Sequence, residues 1–466
     1  RSDLYGRDAY KSYKDNIEVG MGTVIFDGRG NYYGTTSIQF PIVPKSVESV
    51  SVDKEIAGTV TLKWDPAPGA QYYRIYQKAE GGDWVKVGET EECAAVITGL
   101  QSQTKYSFRI GTGKKVNGQT IRGLSWSENA EAVTPEESAV KTSDLITGIS
   151  AAVQAAASEE ENVKVYSVKT VEKDGKLYLM LPSFADLDNL HLCFETESTL
   201  QNVTVFGTNG SAQTTEKEIV LRLSEISGGT DMSGHMIYVS ADGGSPVEIC
   251  VMKSAEIPAI YLTSADAENQ GRDFVDASKQ NIALGSMTML DENGSSIYEN
   301  SLKQIKARGN STFKYYPKKS YQIKLSEASD LLGTGENVKT WVLLAGYGDA
   351  TQMHDKLFKD LARELEMPYT AECGWVDLYY DNEYRGTYLL SEKNSVGETG
   401  VNITDMEDAY KEANSGYGDN AAAEEGLNKY EQKVLYTAGL TEPENITGGY
   451  LIERNMNQVD EINGFY

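Results

Sequence analysis

Between residues 303 and 325 the chain reads KQIKARGNSTFKYYPKKSYQIKL: 23 residues with seven Lys or Arg and no acid, in a chain whose formal net charge is −26. Two strand-like ends, Gln304–Ala307 and Ser320–Leu325, flank a turn-rich centre, Arg308-Gly309-Asn310-Ser311-Thr312. Gly and Asn accept the left-handed backbone of a tight loop, and Ser and Thr add short hydroxyls. Cations and backbone amides crowded at one loop suit an anionic ligand, since both present positive charge at short range. The competing reading is a basic hairpin that neutralises acidic neighbours.

Three further blocks follow in order: KTWVLLAGYGD at 339–349, VDLYYDNEYRGTYLLSEK at 376–393 and GGYLIE at 448–453. Together with Arg308–Thr312 they resemble the CotH family, spore-coat-protein-H-like domains regarded as atypical secreted kinases, and the resemblance covers roughly residues 257–466. It implies ATP- and Mg²⁺-dependent phosphorylation of a secreted or cell-surface protein.

Phosphoryl transfer needs cations on the nucleotide phosphates, carboxylates that hold Mg²⁺ and a group that orients the acceptor. Arg308, Lys318, Lys319 and Lys324 are candidates for the phosphate oxygens, and Lys324 alternates with Ile323 and Leu325, so it leaves the core face. Glu392 and Lys393, which end a predicted hairpin, are candidates for an ion pair that positions a phosphate-binding Lys. Each of these residues taken alone also fits a solvated surface charge. With the resemblance, Arg308 and Lys324 are expected to face the nucleotide.

The family's metal-binding aspartates belong to a later portion, and no motif here matches it. Arg454-Asn455 follows Glu453 where relatives often carry Asp, and His354 stands where Arg is common. The expectation is a truncated domain without its metal-binding half, unable to turn over. No GxSxG, HExxH, P-loop or HRD/DFG set is present, and there are only three histidines. The rival class is a binding or scaffold protein of the cell wall or of a polysaccharide-degrading assembly.

At 466 residues three or four domains are expected, and 40% apolar content with 29 Tyr and 11 Pro describes a folded, β-rich protein. The acidic balance argues against nucleic acid as a partner and fits an extracellular or cell-surface bacterial protein. No apolar run approaches the roughly 20 residues that span a bilayer. The chain opens at Arg1-Ser2-Asp3 without Met or signal peptide and reads as an excised piece. Its four cysteines form no CxxC pair, which argues against a zinc site; Cys193 and Cys250 either bridge or are buried free thiols.

The expected fold is multidomain: β-sandwich modules, Ig-like and fibronectin type III-like, followed by an α+β CotH kinase-like domain. Residues 1–45 read as the closing part of an Ig-like module, its last hairpin turning around Asp27–Gly34. Residues 46–135 resemble a fibronectin type III domain, with Trp64 in the core and Tyr106 as the corner tyrosine. Residues 138–256 form a β-rich module opened by one helix over Ser143–Ala157, where Leu145, Ile146, Ile149, Ala152 and Val153 recur at helical spacing. The last domain, 257–466, includes a helix capped by Asp349 and Gln352, whose stripe of Met353, Leu357, Leu361 and Leu365, joined by Phe358 and Ala362, is expected in the core. Val376–Tyr380 and Glu383–Ser391 form a hairpin about Asp381-Asn382, and residues 405–447 read as a partly helical acidic insertion.

Overall fold

Alternation of apolar and polar residues dominates this sequence, and the computed structural model is correspondingly built of strands. It describes residues 9–155, 164–197, 199–229, 234–367, 369–397 and 400–405, with isolated short pieces up to 444. The blocks at 448–453 and 454–455, and nearly all of the 405–447 insertion, lie outside the described residues. The chain divides into two compact units, the first holding 1–151, 172–179 and 186–252, the second 152–171, 180–185 and 253–466.

In the first unit, Ala9–Lys14, Gly20–Gly28 and Thr35–Ile42 form a three-stranded antiparallel sheet. A two-sheet sandwich follows. One sheet joins Val50–Ile56, Thr59–Trp64 and Ala94–Ile97; the other is built on Tyr72–Ala79 and Lys105–Val116. Inward positions of both sheets, among them Leu62, Ile75, Phe108 and Ile110, make one buried core. Trp64 meets Tyr73 edge-to-face at 5.5 Å, and the Tyr106 hydroxyl accepts the Gln101 N–H at 3.0 Å, the corner expected from the sequence. On the outer face, the Arg109 guanidinium lies 4.2 Å from both the Trp84 and the Trp126 rings.

The helix expected over Ser143–Ala157 is not formed. A single turn, Thr142–Leu145, gives way to a strand, Gly148–Gln154. Ile149, Ser150, Ala151 and Val153 are all buried, so the strand is covered on both faces, and a run apolar at most positions imitates helical spacing. Gly148 weakens the helix, and the β-branched Ile149 and Val153 favour the strand. Cys193 and Cys250 lie in different sheets, and all four cysteines are free thiols.

The second unit is a barrel. Its strands are β1 Val165–Lys169, β2 Ala259–Ser264, β3 Ala283–Leu290, β4 Ser296–Arg308, β5 Ser320–Ser329, β6 Val338–Leu344, β7 Cys373–Tyr380 and β8 Glu383–Glu392. Neighbours run β2-β3-β4-β5-β6-β8-β7, and β7 pairs back onto β2 in parallel, which closes the sheet and removes its edges. β1 adds one parallel bridge, Lys169 to Glu383. Side chains fill the interior, including Leu262, Met287, Ile305, Ile323, Trp341 and Tyr388. Outside β2 and β7 a tyrosine stack, Tyr166 to Tyr261 at 4.5 Å and Tyr261 to Tyr379 at 4.8 Å, covers one flank. The β7–β8 turn places Asp381 and Asn382 at φ 49° and 70°, the left-handed pair that the sequence predicts.

Among the described residues of this unit a single helical turn, Ala267–Gln270, precedes three helices that accompany the barrel: α1 Arg272–Ala277, α2 Ser311–Tyr315 and α3 His354–Glu364. Among the described residues the unit is thus mostly β, short of the α+β mixture expected. α3 begins later than the Asp349–Gln352 pattern suggests, because the Asp349 carboxylate takes the Thr351 and His354 N–H groups and Gln352 sits at φ 56°. Its apolar stripe is also not core. Met353, Leu357, Phe358, Leu361 and Leu365 are all exposed, and no α3 residue is buried.

Candidate functional site

Strand alternation decides where the basic stretch points. In β5 Tyr321, Ile323 and Leu325 are buried inside the barrel, so Gln322 and Lys324 face outward. Register then aligns Gln304 with Lys324, Lys306 with Gln322 and Arg308 with Ser320, and continues from Gln322 to Val342 and from Val342 to Ser391. Lys393 follows Ser391 by two residues, its N–H bonded to the Thr340 carbonyl. The outer faces of β4, β5, β6 and the end of β8 therefore gather Lys306, Arg308, Lys324 and Lys393.

These cations act on one another. Partial burial, then Lys393, then Arg308 push the Lys306 ammonium below its ordinary pKa. α3 brings another: Lys359 Nζ lies 3.0 Å from Ser391 Oγ, and burial lowers its pKa too. A cluster of like charges is a standing attraction for a polyanion. At the tip, Gly309 adopts φ 99°, and a Cβ there would collide with Thr312 Oγ1, so glycine is required for the turn out of β4.

Lys318 and Lys319 stand apart from this face. Lys319 Nζ donates to the carbonyls of Phe313 at 2.5 Å and Tyr316 at 2.8 Å, bracing the turn. Lys318 Nζ donates to the Thr387 carbonyl at 2.6 Å and lies 4.3 Å over the Tyr388 ring, beside Gly386, whose missing side chain leaves room for it. Burial, with the help of Arg385 and against the pull of Asp377, pushes its pKa down to about 8. Nearby is a half-buried polar cluster, where the Tyr321 hydroxyl donates to Asp276 at 2.8 Å and Arg272 pairs with Glu383 at 2.9 Å.

Glu392 and Lys393 cannot act as a pair, because consecutive strand residues point to opposite faces. Glu392 aligns with the interior Trp341 and is buried. Its carboxylate accepts the Glu372 N–H at 3.1 Å and the Tyr369 hydroxyl at 3.4 Å. The arrangement thus unites Arg308, Lys324 and Lys393 from the sequence candidates, leaves Lys318, Lys319 and Glu392 as structural residues, and adds Lys306 and Lys359. Lys306 was legible: it sits between Ile305 and Ala307 as Lys324 sits between Ile323 and Leu325. Lys359 was not, since only α3's orientation brings it to Ser391.

Among solved structures, the chain resembles FN3tt (25% identity, covering 20% of this chain and 97% of that one, TM-score 0.17). It also resembles the fn3 domain of human collagen alpha-1(XX) chain (19% identity, 22% and 93% covered, TM-score 0.17). A third similarity is to titin domains A168–A170 (16% identity, 28% of this chain and 55% of that one, TM-score 0.18). No curated protein matches. Residues 305–437 match the family model described as CotH kinase protein, so a CotH-type domain is present in this chain, starting within β4.

Proposed function

We propose that this chain is a secreted or cell-surface CotH-type kinase-like protein in which the outer barrel face of Lys306, Arg308, Lys324 and Lys393 receives the phosphates of ATP. The observation that carries this reading is geometric: the register of β4, β5, β6 and β8 brings Lys306, Arg308, Lys324 and Lys393 to one outer face, where a phosphate chain would meet several cations at once. In the reaction class implied, the bond from the γ-phosphorus to its bridging oxygen breaks and a bond to an acceptor hydroxyl forms. ADP departs, and the hydroxyl proton passes to solvent. The acceptor would be a secreted or cell-surface protein. Ahead of the CotH-type part, modules at 1–45, 46–135 and 138–256 would serve as spacers, the second of them fibronectin type III-like.

Mg²⁺ is a separate question. Among the described residues no group of three or more His, Cys, Asp or Glu side chains is placed to hold a metal ion. The fully buried Asp377 has Oδ1 committed to the Tyr384 hydroxyl and Thr387 Oγ1, both at 3.0 Å, while its Oδ2 has no partner among the described residues; one carboxylate oxygen with no second carboxylate beside it is too few to seat Mg²⁺. The described residues do not fit a Mg²⁺ seat, and the cationic face accounts for phosphate binding alone. A second reading, a scaffold that binds without turnover, is favoured by the outward apolar face of α3, a feature of docking elements.

Titration calorimetry with ATP tests the first reading. Lys306→Ala, Arg308→Ala and Lys393→Ala should each weaken binding, and affinity should fall as salt rises. Binding indifferent to all three substitutions, or none at low salt, would refute it.

A further inference from the structure

α3 is seated with its polar side inward. Arg363 reaches Glu372 at 2.8 Å and Lys359 reaches Ser391 at 3.0 Å, while Lys356 is tied to Asp360 at 2.7 Å along the helix. The opposite side presents Met353, Leu357, Phe358, Leu361 and Leu365, from 47% to 67% exposed. A continuous apolar stripe of this kind, covered by none of the described residues, marks an interaction site. The charges beside it have one sign. Asp355, Glu364 and Glu366 are exposed, whereas Lys356, Lys359 and Arg363 are drawn toward the barrel or into ion pairs. His354, the remaining exposed polar residue of the helix, lies 3.2 Å from Asp349.

We infer that the outward face of α3 docks a basic amphipathic helix of a partner protein. Its apolar side would lie on Leu357, Phe358, Leu361 and Leu365 and its cations against Asp355, Glu364 and Glu366. A second copy of this chain would set acid against acid, and an anionic lipid surface would be repelled for the same reason. The inference concerns the opposite side of α3 from Lys359 and stands independently of nucleotide binding.

The test uses the full 466-residue chain and a fluorescent Leu–Lys peptide of about 15 residues with leucines at helical spacing, read by anisotropy. Phe358→Asp and Leu361→Asp decide the matter, because each adds negative charge to a chain already at −26. Non-specific attraction would hold or grow, whereas docking loses about tenfold in affinity or more. Glu364→Gln with Glu366→Gln should weaken binding and flatten its salt dependence. A peptide of the same composition with its leucines dispersed should bind weakly. Unchanged or tighter binding by Phe358→Asp overturns the inference. So does a dimer that Phe358→Asp dissolves, or binding to phosphatidylglycerol vesicles that it abolishes, since either assigns the face to another occupant. Both substituted residues are exposed, and an unchanged circular dichroism melt establishes that lost binding is not lost folding; should either variant melt early, Leu365→Asp gives the same readout.

Discussion

Replacing Lys318 by Met should stabilise the barrel at neutral pH and remove a pH dependence that the native chain carries. Lys318 is held at a pKa of about 8 chiefly by burial, against an ordinary value of 10.5. Between those values the unfolded chain binds a proton that the folded chain has lost, so stability rises with pH across that window. Below pH 8 the buried ammonium is charged in both states and its desolvation opposes folding in full. Integrating the difference from pH 7 to pH 10 gives about 2–3 kcal/mol. Part of the gain in the Met variant is offset, because the Thr387 carbonyl loses its donor at 2.6 Å and the Tyr388 ring its cation. Those losses are about 1–2 kcal/mol together. The difference between wild type and variant is the quantity to follow, measured by urea unfolding with tryptophan fluorescence, the barrel transition being assigned through the buried Trp341. Readings should stop near pH 10, since the buried tyrosines, whose pKa values burial raises, lose stability above it. Parallel pH profiles for the two proteins would refute the reasoning. ATP binding should survive in the variant, because Lys318 is spent on a carbonyl.

Two further outcomes follow from single contacts. Tyr106→Phe removes the hydroxyl that accepts the Gln101 N–H and should cost the sandwich about 1 kcal/mol in chemical denaturation; an unchanged midpoint would mean the corner is ornamental. Asp349, lowered to about 2 by the His354 N–H first and then by Thr351, should titrate in carboxyl NMR well below the ordinary 3.8. Its contribution is present above that ordinary value and lost as pH falls through about 2, so an unshifted midpoint would show the turn before α3 to be unformed.

The sandwich was legible because its signals are local. Strand alternation around Trp64 and Tyr73, and a tyrosine five residues after Gln101, need no knowledge of distant chain. The β7–β8 turn was legible for the same reason, since Asp and Asn accept positive φ wherever they stand. Closure of the barrel was not, because it depends on β7 pairing with β2, more than a hundred residues earlier and in parallel. The cationic face was half legible. Alternation sends Lys306 and Lys324 outward, but the fate of Lys318 and Lys319 depends on which carbonyls the fold leaves beside them.

α3 marks the limit of periodicity as a guide. Spacing of about 3.6 residues establishes that a helix has an apolar face, and the usual assumption is that this face lies inward. Here the barrel offers the helix a polar seat, Ser391 and Glu372, because the barrel's own core is already filled from within by Ile323, Trp341 and Tyr388. A helix laid on the outside of a closed, packed barrel finds alternating outward residues, and those are polar on β8 at Ser391 and charged at Lys393. The side of α3 that matches such a surface is the one with Lys359 and Arg363. Its apolar stripe is left outward as a consequence of barrel closure, and the same closure that hides the core of this unit therefore leaves a hydrophobic surface exposed among the described residues.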